Sequence, residues 1–598
     1  MKFSNPILVA TLAATLSLPV ISEEQSPIIV TATRTAQTAD DSLASVTVIT
    51  QKEIQQSQAS SIAELITGIS GIDTDTNGGL GQESNVYMRG TRKGHILVLL
   101  DGVKFGSATT GRVALQYLPV SIIERIEIVR GPRSSLYGSE AIGGVIQIFT
   151  KKENKPSGGF AKLSSGTYGT ANFALGLNSN TENSSFNINF DAISSNGFDV
   201  REKKNLDDDG FKNQTFNANY GYLFDNKIKL EAHFLNSVGV TEYDGAYSSS
   251  TYHRNFIEHT TGLKTIIPIQ KSWDMTFSYS NSDDDRDSFK NNIIQNTYNT
   301  NRTRATWQND ISIFDSNLLT LGVDNLKDTI SSSESYSVTQ RETKSIFLQN
   351  QWFGKSNDIL VSLRHDDIDR YGKPTTGNIA WGNHLTKNTR VTLSYGTAYK
   401  APTFNELYHP ETYSASPNPN LLAEKSESYE IGLSQNTSWG KWNINMFRTK
   451  IKDMIVFDSP SPKTNKNLEN VQIDGAEFSI NANLDNWITQ LSLTLLNPVN
   501  TDTNEVLDRR TKQSIKLSTD KQFKGYSIGA SVLSQGKRMD DGVELKGYTV
   551  INVRVKKQLD KNTSVSLKGN NITDAKYQTI DGYNMPRAST YISLEHQF

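Results

Sequence analysis

The chain has 598 residues, which is too long for one hydrophobic core, so we expect at least two domains. Its 61 Lys and Arg residues nearly balance its 63 Asp and Glu residues, and this balance gives no support for nucleic-acid binding. The chain contains no Cys, which excludes disulfides, thiolate metal sites, iron–sulfur clusters and a cysteine nucleophile.

The N-terminus has the pattern of an export signal. Lys2 provides a positive start, an apolar stretch follows, and the small residue Ser22 precedes the expected cleavage point. An anchoring helix is the alternative, but Pro6 and Pro19 bracket the apolar run at about half the length that a membrane span needs. We therefore expect residues 1–22 to be a signal peptide.

Residues 26–33, "SPIIVTAT", predict a short extended segment near the start of the exported chain. The run 28–31 consists of strand-forming residues, and the small polar residues that follow predict neither a turn nor a second strand to pair with it. An exposed strand can add to the sheet edge of a partner protein. The alternative is a frayed terminus. We expect residues 34–42 to act as a tether.

Residues 38–152 predict a compact mixed α/β domain. The segment "SIAELITGISG" places Ile62, Leu65 and Ile66 on one helical face, after a Ser that can cap the helix. The segment "HILVLLDGV" is an apolar strand that runs into an Asp-Gly turn, and "ERIEIVRGP" and "GGVIQIFT" are further short strands.

Residues 154–598 repeat a period-two pattern. Segments such as "SFNINFDAI", "TFNANYGYLF" and "KWNINMF" alternate apolar or aromatic residues with polar ones, and turn signals separate them. A soluble β-sandwich also alternates, but this stretch would be unusually long for one. An allowance of roughly 20 residues per strand and connection predicts an antiparallel transmembrane β-barrel of about 22 strands. A barrel of that size has a lumen wide enough to need a plug.

Several motifs resemble those of TonB-dependent outer-membrane transporters. They are "MRGT" at 88–91, "LLDGVK" at 99–104, "IERIEIVRGPRSSLYGSEAIGGVIQIFT" at 123–150 and "YKAP" with "NPNL" between 399 and 421. The C-terminal strand ends in Phe598, as bacterial outer-membrane barrels do, although His596 stands where another aromatic residue is usual. Plug segments including "NGGLGQES" are most similar to the cobalamin (vitamin B12) transporters of this family.

The resemblance implies a plug inside the barrel and a location in the bacterial outer membrane, as a monomer among lipid and lipopolysaccharide. It identifies residues 26–33 as a Ton box, which would bind TonB, itself energised by ExbB and ExbD. The implied TonB-binding residues are Pro27, Ile28, Ile29, Val30, Thr31 and Ala32. We also expect Arg130, Arg133 and Glu124 to form plug–barrel ion pairs rather than ligand contacts.

The implied ligand, cobalamin or a related corrinoid, would rest on the plug loops and the inner barrel wall. The matching contact positions are Glu83, Asn85, Arg92, Thr110, Gly111 and Arg509. Three features depart from the family pattern. Glu83 is charged, the loop that holds Thr110 is one residue shorter, and no residue clearly matches a contacting Tyr expected near Asp541.

The resemblance also implies Ca²⁺ bound in the extracellular loops. The matching ligand positions are Asp199, Asn205, Asp207, Asp209, Tyr243 and Asp244. Converging carboxylates repel one another without a cation, and Ca²⁺ prefers six to eight oxygen ligands. A further Asp of the family pattern is replaced by Asn255. The alternative is that Lys203 and Lys204 neutralise a solvated acidic loop.

Other functions stay open at this point. A haem receptor would use His409 as an iron ligand, and a ferric-siderophore receptor is a further alternative. An outer-membrane enzyme is disfavoured because the eight His residues are scattered and no "GxSxG" element occurs. A passive porin would need neither a Ton box nor a plug. We expect no catalytic residues and no redox cofactor.

Overall fold

The computed structural model describes residues 29–30, 34, 37–38, 41–152, 157–201, 207–245, 250–411, 416–458 and 463–598. The expected signal peptide, most of the Ton box and Asn205 lie outside these ranges. Within them, every helix falls short of the length and apolarity that a membrane-crossing helix requires.

The barrel is a single closed antiparallel sheet of 22 strands, which confirms the predicted architecture. It closes where the first barrel strand pairs with the last, from Phe160 opposite Gln597 to Gly166 opposite Tyr591. Its strands are β10 (Gly158–Gly166), β11 (Thr170–Asn180), β12 (Ser184–Ser195), β13 (Phe211–Leu223), β14 (Lys229–Asp244), β15 (Thr251–Gln270), β16 (Trp273–Lys290), β17 (Ile293–Phe314), β18 (Asn317–Ser332), β19 (Gln340–Phe353), β20 (Asn357–Ile368), β21 (Thr375–His384), β22 (Thr389–Lys400), β23 (Glu424–Thr437), β24 (Gly440–Asp458), β25 (Thr464–Leu484), β26 (Trp487–Asn500), β27 (Gln513–Phe523), β28 (Tyr526–Gln535), β31 (Tyr548–Gln558), β32 (Thr563–Asn570) and β33 (Ser589–Gln597).

Alternation along each strand separates the two faces of the barrel. In β13, Phe216 and Tyr220 are exposed on the outer face, whereas Asn217 and Asn219 are buried against the lumen contents. The Asn219 amide donates 2.8 Å to Thr150 Oγ1 of the plug, so the inward polar residues satisfy the plug's hydrogen-bonding groups.

The two ends of the barrel differ in their connections. One end has short turns, such as 271–272 and 485–486, and the other has long loops, such as 196–210, 401–423 and 571–588. Outer-membrane barrels place short turns in the periplasm and long loops outside the cell. The long loops therefore mark the extracellular end. They include α4 (Phe404–Tyr408) and the hairpin of β29 (Arg538–Asp540) and β30 (Val543–Leu545).

The plug fills the lumen with a mixed α/β unit, as predicted. Its strands are β1 (Ile29–Val30), β2 (Gln37–Thr38), β3 (Val46–Ile49), β4 (Ile72–Thr76), β5 (Ser84–Met88), β6 (Ile96–Leu100), β7 (Val103–Lys104), β8 (Ile123–Arg130) and β9 (Gly144–Thr150). Its helices are α1 (Gln51–Ser57), α2 (Ile62–Ile66) and α3 (Ser134–Tyr137), with 3-10 turns at Lys93–His95, Leu115–Tyr117 and Val120–Ile122.

A five-stranded sheet in the order β3-β8-β9-β6-β7 organises the plug, and only the β6–β9 pair in it is parallel. Helix α2 begins as predicted, because the Ser61 side chain accepts a hydrogen bond from the Glu64 amide. Ile62 and Ile66 are fully buried and pack into the main plug core with the apolar residues of β6 and β8.

The structure corrects two expectations. The strand in the expected Ton box has a partner, because Ile29 lies opposite Thr38 and Val30 opposite Gln37 in an antiparallel pair. Backbone pairing needs no apolar side chain, so the polar segment that follows can supply the second strand. Among the residues that the structure describes, Glu124 has no barrel partner within ion-pair distance. It instead accepts from the Lys152 amide at 3.0 Å, within the plug.

Candidate functional site

The extracellular face of the plug brings Glu83 close to the loop that holds Thr110 and Gly111. The Glu83 carboxylate accepts a hydrogen bond from the Arg112 guanidinium, and both side chains are partly exposed. Burial raises the pKa of Glu83, but the charges of Arg112 and Lys93 outweigh it and hold the pKa below its usual value. Glu83 is therefore ionised and paired, which accounts for a charged residue at this position.

Asn85 lies beneath this surface and supports it. Its amide donates to Asp75 at 2.6 Å, and the Tyr87 hydroxyl donates to the same carboxylate at 2.6 Å. Only 5% of Asn85 is exposed. In this conformation Asn85 holds the β4–β5 hairpin together, and Asp75 engages one of the two N–H donors of its side-chain amide.

Arg92 joins the plug to the barrel. Its guanidinium contacts Glu406 at 3.2 Å and Glu424 at 3.4 Å, and it donates to the Ile455 carbonyl at 2.6 Å. Lys400 neutralises the same two carboxylates from 3.2 and 3.3 Å. About a quarter of the Arg92 side chain stays exposed, so it can contact a ligand while anchored.

His95 completes this network as a neutral side chain. Its Nδ1 accepts from the Arg92 amide at 3.2 Å, so its Nε2 carries the hydrogen that is donated to Glu424 at 3.1 Å. Burial lowers the pKa of His95 although Glu424 opposes the shift. The network therefore holds the Arg92 loop in one orientation at neutral pH.

Thr110 and Gly111 lie directly under an extracellular helix. The Asn405 amide of α4 donates 3.0 Å to the Thr109 carbonyl. Gly111 has φ +67°, and a Cβ there would meet Thr403 Cγ2 at 2.9 Å. Only Gly fits this turn without strain. Thr110 is exposed.

Arg509 lies on the barrel loop 501–512 rather than on the plug. Its Nε donates to Asp540 at 2.6 Å, and about a quarter of the side chain is exposed. The neighbouring Arg510 was not predicted, yet it reaches the plug: it donates 3.2 Å to the Gly90 carbonyl and lies 4.8 Å from the Tyr87 ring. The adjacent pair Arg509 and Arg510 was the sequence signal from which this second contact could have been predicted.

Three of the predicted calcium ligands converge. Asp199, Asp209 and Asp244 each offer a carboxylate oxygen, and these oxygens all lie within 4.8 Å of one another. Calcium–oxygen distances of about 2.3–2.6 Å would join oxygens at such separations. Asp207 is exposed two residues before Asp209 in the loop 196–210, and Tyr243 lies beside Asp244.

A buried atom at this cluster lacks a partner. Asp244 Oδ2 is buried without a hydrogen bond within the described ranges, whereas Asp209 accepts from the Val200 amide at 3.0 Å. An orphaned carboxylate oxygen is costly unless a cation or donor meets it. The donor set is oxygen only, so the residues present fit Ca²⁺.

Comparisons with known proteins identify the family. Residues 38–145 match the TonB-dependent receptor plug domain, and residues 157–572 match the family described as TonB dependent receptor-like, beta-barrel. The chain belongs to the TonB-dependent outer-membrane receptors. Such receptors lie in the outer membrane and transport a ligand in dependence on TonB, and this family is not enzymatic.

The curated relatives and the solved structures that resemble this chain have names that refer to different ligands. The chain is 30% identical over 99% of both chains to a vitamin B12 transporter of Photobacterium profundum, and 31% identical over 96% of both chains to one of Vibrio cholerae. A mutant ferric enterobactin receptor of Pseudomonas aeruginosa superposes with a TM-score of 0.80, at 18% identity, over 93% of this chain and 98% of that one. At this identity the structural likeness shows the fold alone.

Proposed function

We propose that this receptor imports cobalamin or a related corrinoid across the outer membrane. The observation that carries the proposal is identity of about 30% to curated vitamin B12 transporters over nearly the whole chain. Arg92, Thr110 and Arg509 each keep an exposed part, and such a ligand would contact them from the extracellular side.

Calcium is the second part of the proposal. Asp199, Asp209 and Asp244 would hold Ca²⁺ between the loops 196–210 and 245–250, with Asp207 and the Tyr243 carbonyl as further ligands. Bound calcium would neutralise the three carboxylates and order both loops before the ligand arrives. A loop that is ordered in advance removes part of the entropy cost of binding.

Transport energy would come through the Ton box. The pair of Ile29–Val30 with Gln37–Thr38 has only two residues on each strand, so exchanging it for pairing with a sheet edge of TonB loses few hydrogen bonds. A pull on this segment would then act on the plug. We also propose that the receptor functions as a monomer.

A ferric-siderophore receptor is the second candidate, since receptors of the same fold include a ferric enterobactin receptor and a ferric-catecholate import receptor. A haem receptor is less well supported. His409 Nδ1 lies 3.0 Å from the Pro410 carbonyl and its Nε2 lies 3.3 Å from the Tyr298 hydroxyl, so both ring nitrogens are engaged.

Equilibrium binding to the purified receptor tests the proposal. Cyanocobalamin, a ferric catecholate and haem would be titrated separately, each with and without millimolar calcium. Tight cyanocobalamin binding that calcium strengthens supports both parts. Binding of the ferric catecholate alone would replace the corrinoid as ligand and leave the family unchanged.

A further inference from the structure

The outer surface of the barrel has a wide groove across strands β21–β27, with a volume of about 1350 Å³. Its floor is Ala476, which lies opposite Met446 in β24 and opposite Leu495 in β26. Residues opposite each other share a face, so a methyl group lies between two long side chains there. Tyr429 and Ile431 extend the apolar wall.

Basic side chains border the extracellular end of this groove. Arg448 and Lys450 line it and follow Met446 on the same face of β24, which runs towards the long loops, and Lys512 lines it from the loop before β27. All three are exposed. Among the described residues, neither lysine has a carboxylate within ion-pair distance, although Glu427 of β23 lies opposite Lys450 in the strand register. Arg448 is paired with Asp474 at 2.6 Å.

Two more lysines stand directly above. Lys452 of β24 lies opposite Lys425 of β23 in the strand register, and both are exposed. Like charges placed directly opposite each other in a sheet are destabilising. An anion between them would remove this cost, so the arrangement is suited to a negatively charged group.

Aromatic residues place the cations at the level of lipid headgroups. Tyr395 and Tyr429 lie side by side on the outer face, with ring centroids 4.9 Å apart. Outer-membrane barrels carry such aromatic residues at the edge of the apolar band. Arg448 lies opposite Tyr429, and the lysines lie beyond it. The groove is therefore at the depth of acyl chains.

The basic border is local. On β16, at the extracellular half of the barrel, Asp283, Asp285 and Asp287 occupy the corresponding outward positions, since they alternate with the lumen-facing Asp284. The extracellular half of the barrel is thus acidic on one side and basic on the other. Charged residues that only kept the rim soluble would not need to be sorted by sign in this way.

We propose that the groove of β21–β27 binds a phosphorylated glycolipid of the outer leaflet. Its acyl chains would lie over Ala476 between Met446 and Leu495, and its phosphates would contact Lys450, Lys452 and Lys512. A lipid is the occupant because the apolar floor of the groove lies below the aromatic residues, inside the membrane. The phosphates follow from the surplus of positive charge above it, where Lys425, Arg448, Lys450, Lys452 and Lys512 outnumber Glu427 and Asp474. This inference is independent of the transported ligand.

Native mass spectrometry of the purified receptor in detergent tests it, with diphosphorylated lipid A and its dephosphorylated form as probes. We expect adducts with the diphosphorylated form, reduced at least fivefold in Lys450→Gln/Lys452→Gln. The matched control Lys327→Gln/Lys344→Gln removes two outward lysines from β18 and β19 and should keep the adduct. Asp474→Asn, which frees Arg448, should strengthen it.

Filling the groove tests the contribution of the lipid acyl chains separately from that of the headgroup. Ala476→Phe should weaken the adduct although every cation remains, and far-UV circular dichroism and heat modifiability of the barrel would verify folding of each variant. The proposal is overturned if wild-type receptor forms no adduct, if the dephosphorylated lipid binds equally well, or if the control pair loses as much binding as the groove pair.

Discussion

Arg34, immediately behind the Ton box, is held inside the barrel by Asp324 of β18. Its Nη2 and Nη1 lie 2.9 and 3.4 Å from the two carboxylate oxygens, and both side chains are almost fully buried. Arg304 and Arg364 contact the same carboxylate at 2.6 and 2.7 Å. The N-terminal segment is thus fastened to the barrel wall by one of three guanidinium groups that share a single carboxylate.

This arrangement predicts that Arg34→Gln loosens the Ton box segment without harming the barrel. Asp324 keeps two Arg partners, so no buried charge is left unpaired. We expect a spin label at Val30→Cys, the only Cys in that chain, to become more mobile and TonB to bind about tenfold more tightly, ~1.4 kcal/mol. Arg304→Gln is the matched control, because it removes another guanidinium from Asp324 and leaves Arg34 in place. Equal mobility in all three proteins would contradict the prediction.

Val30→Pro is expected to abolish energised uptake and leave surface binding of the ligand intact. Proline removes the backbone donor and fixes its own φ, so the segment can pair neither with Gln37 nor with a partner strand. Uptake and binding of radiolabelled cyanocobalamin by whole cells would be compared. Val30→Thr keeps the donor and a strand-forming side chain and should transport normally. Loss of surface binding in the Pro variant would count against the assignment of this segment.

Local signals in the sequence were sufficient for much of the fold. The period-two alternation predicted barrel strands because each strand must present one face to lipid and one to the plug, and the length of the alternating stretch predicted about 22 of them. Ser61 and the apolar positions of α2 predicted that helix because a cap and a face need only neighbouring residues.

Contacts between distant segments could not be predicted. Arg92 meets Glu406 and Glu424, more than 300 residues away along the chain, and such partners become neighbours only when the barrel closes around the plug. The pairing of Val30 with Gln37 was missed for a different reason, since backbone hydrogen bonds leave no mark on side-chain type.

At the calcium site, Asp209→Asn is expected to weaken calcium binding at least tenfold, because it removes one of three converging carboxylates. Isothermal calorimetry with calcium on the purified receptor measures it directly. Asp285→Asn, in an acidic run on the outer face of β16, is the matched control and should not change the affinity. If both variants bind calcium like the wild type, the cluster is not the site.

Calcium affinity should also rise with pH. Burial, followed by the charges of Asp244, Asp207 and Asp199, raises the pKa of Asp209 to about 7 in the calcium-free protein. A carboxyl group with a raised pKa stabilises the calcium-free fold at low pH, and this contribution is lost as pH rises through about 7. Calcium competes with that proton, so titrations at pH 8 should give tighter binding than at pH 6. An affinity independent of pH would contradict the assignment of Asp209 as a ligand.

Arg89 anchors the plug to the barrel, and the strength of this anchor can be measured. Its guanidinium makes four hydrogen bonds of 2.8–2.9 Å to Glu430 and Glu477 and lies 4.2 Å from the Phe447 ring. Arg89→Leu would leave Glu430 and Glu477 buried, with Arg130 still 4.0 Å from Glu477. Removing one partner of a buried ion pair costs about 3–5 kcal/mol. We expect faster hydrogen exchange of the plug strands β5 and β8 and a lower urea midpoint for plug unfolding.

Arg112→Leu supplies the comparison for that experiment. It breaks the ion pair with Glu83, in which both side chains are partly exposed, and exposed pairs contribute less than about 1 kcal/mol. Plug exchange should therefore stay close to that of the wild type. Similar destabilisation by both substitutions would show that burial of the Arg89 pairs does not determine how firmly the plug is held.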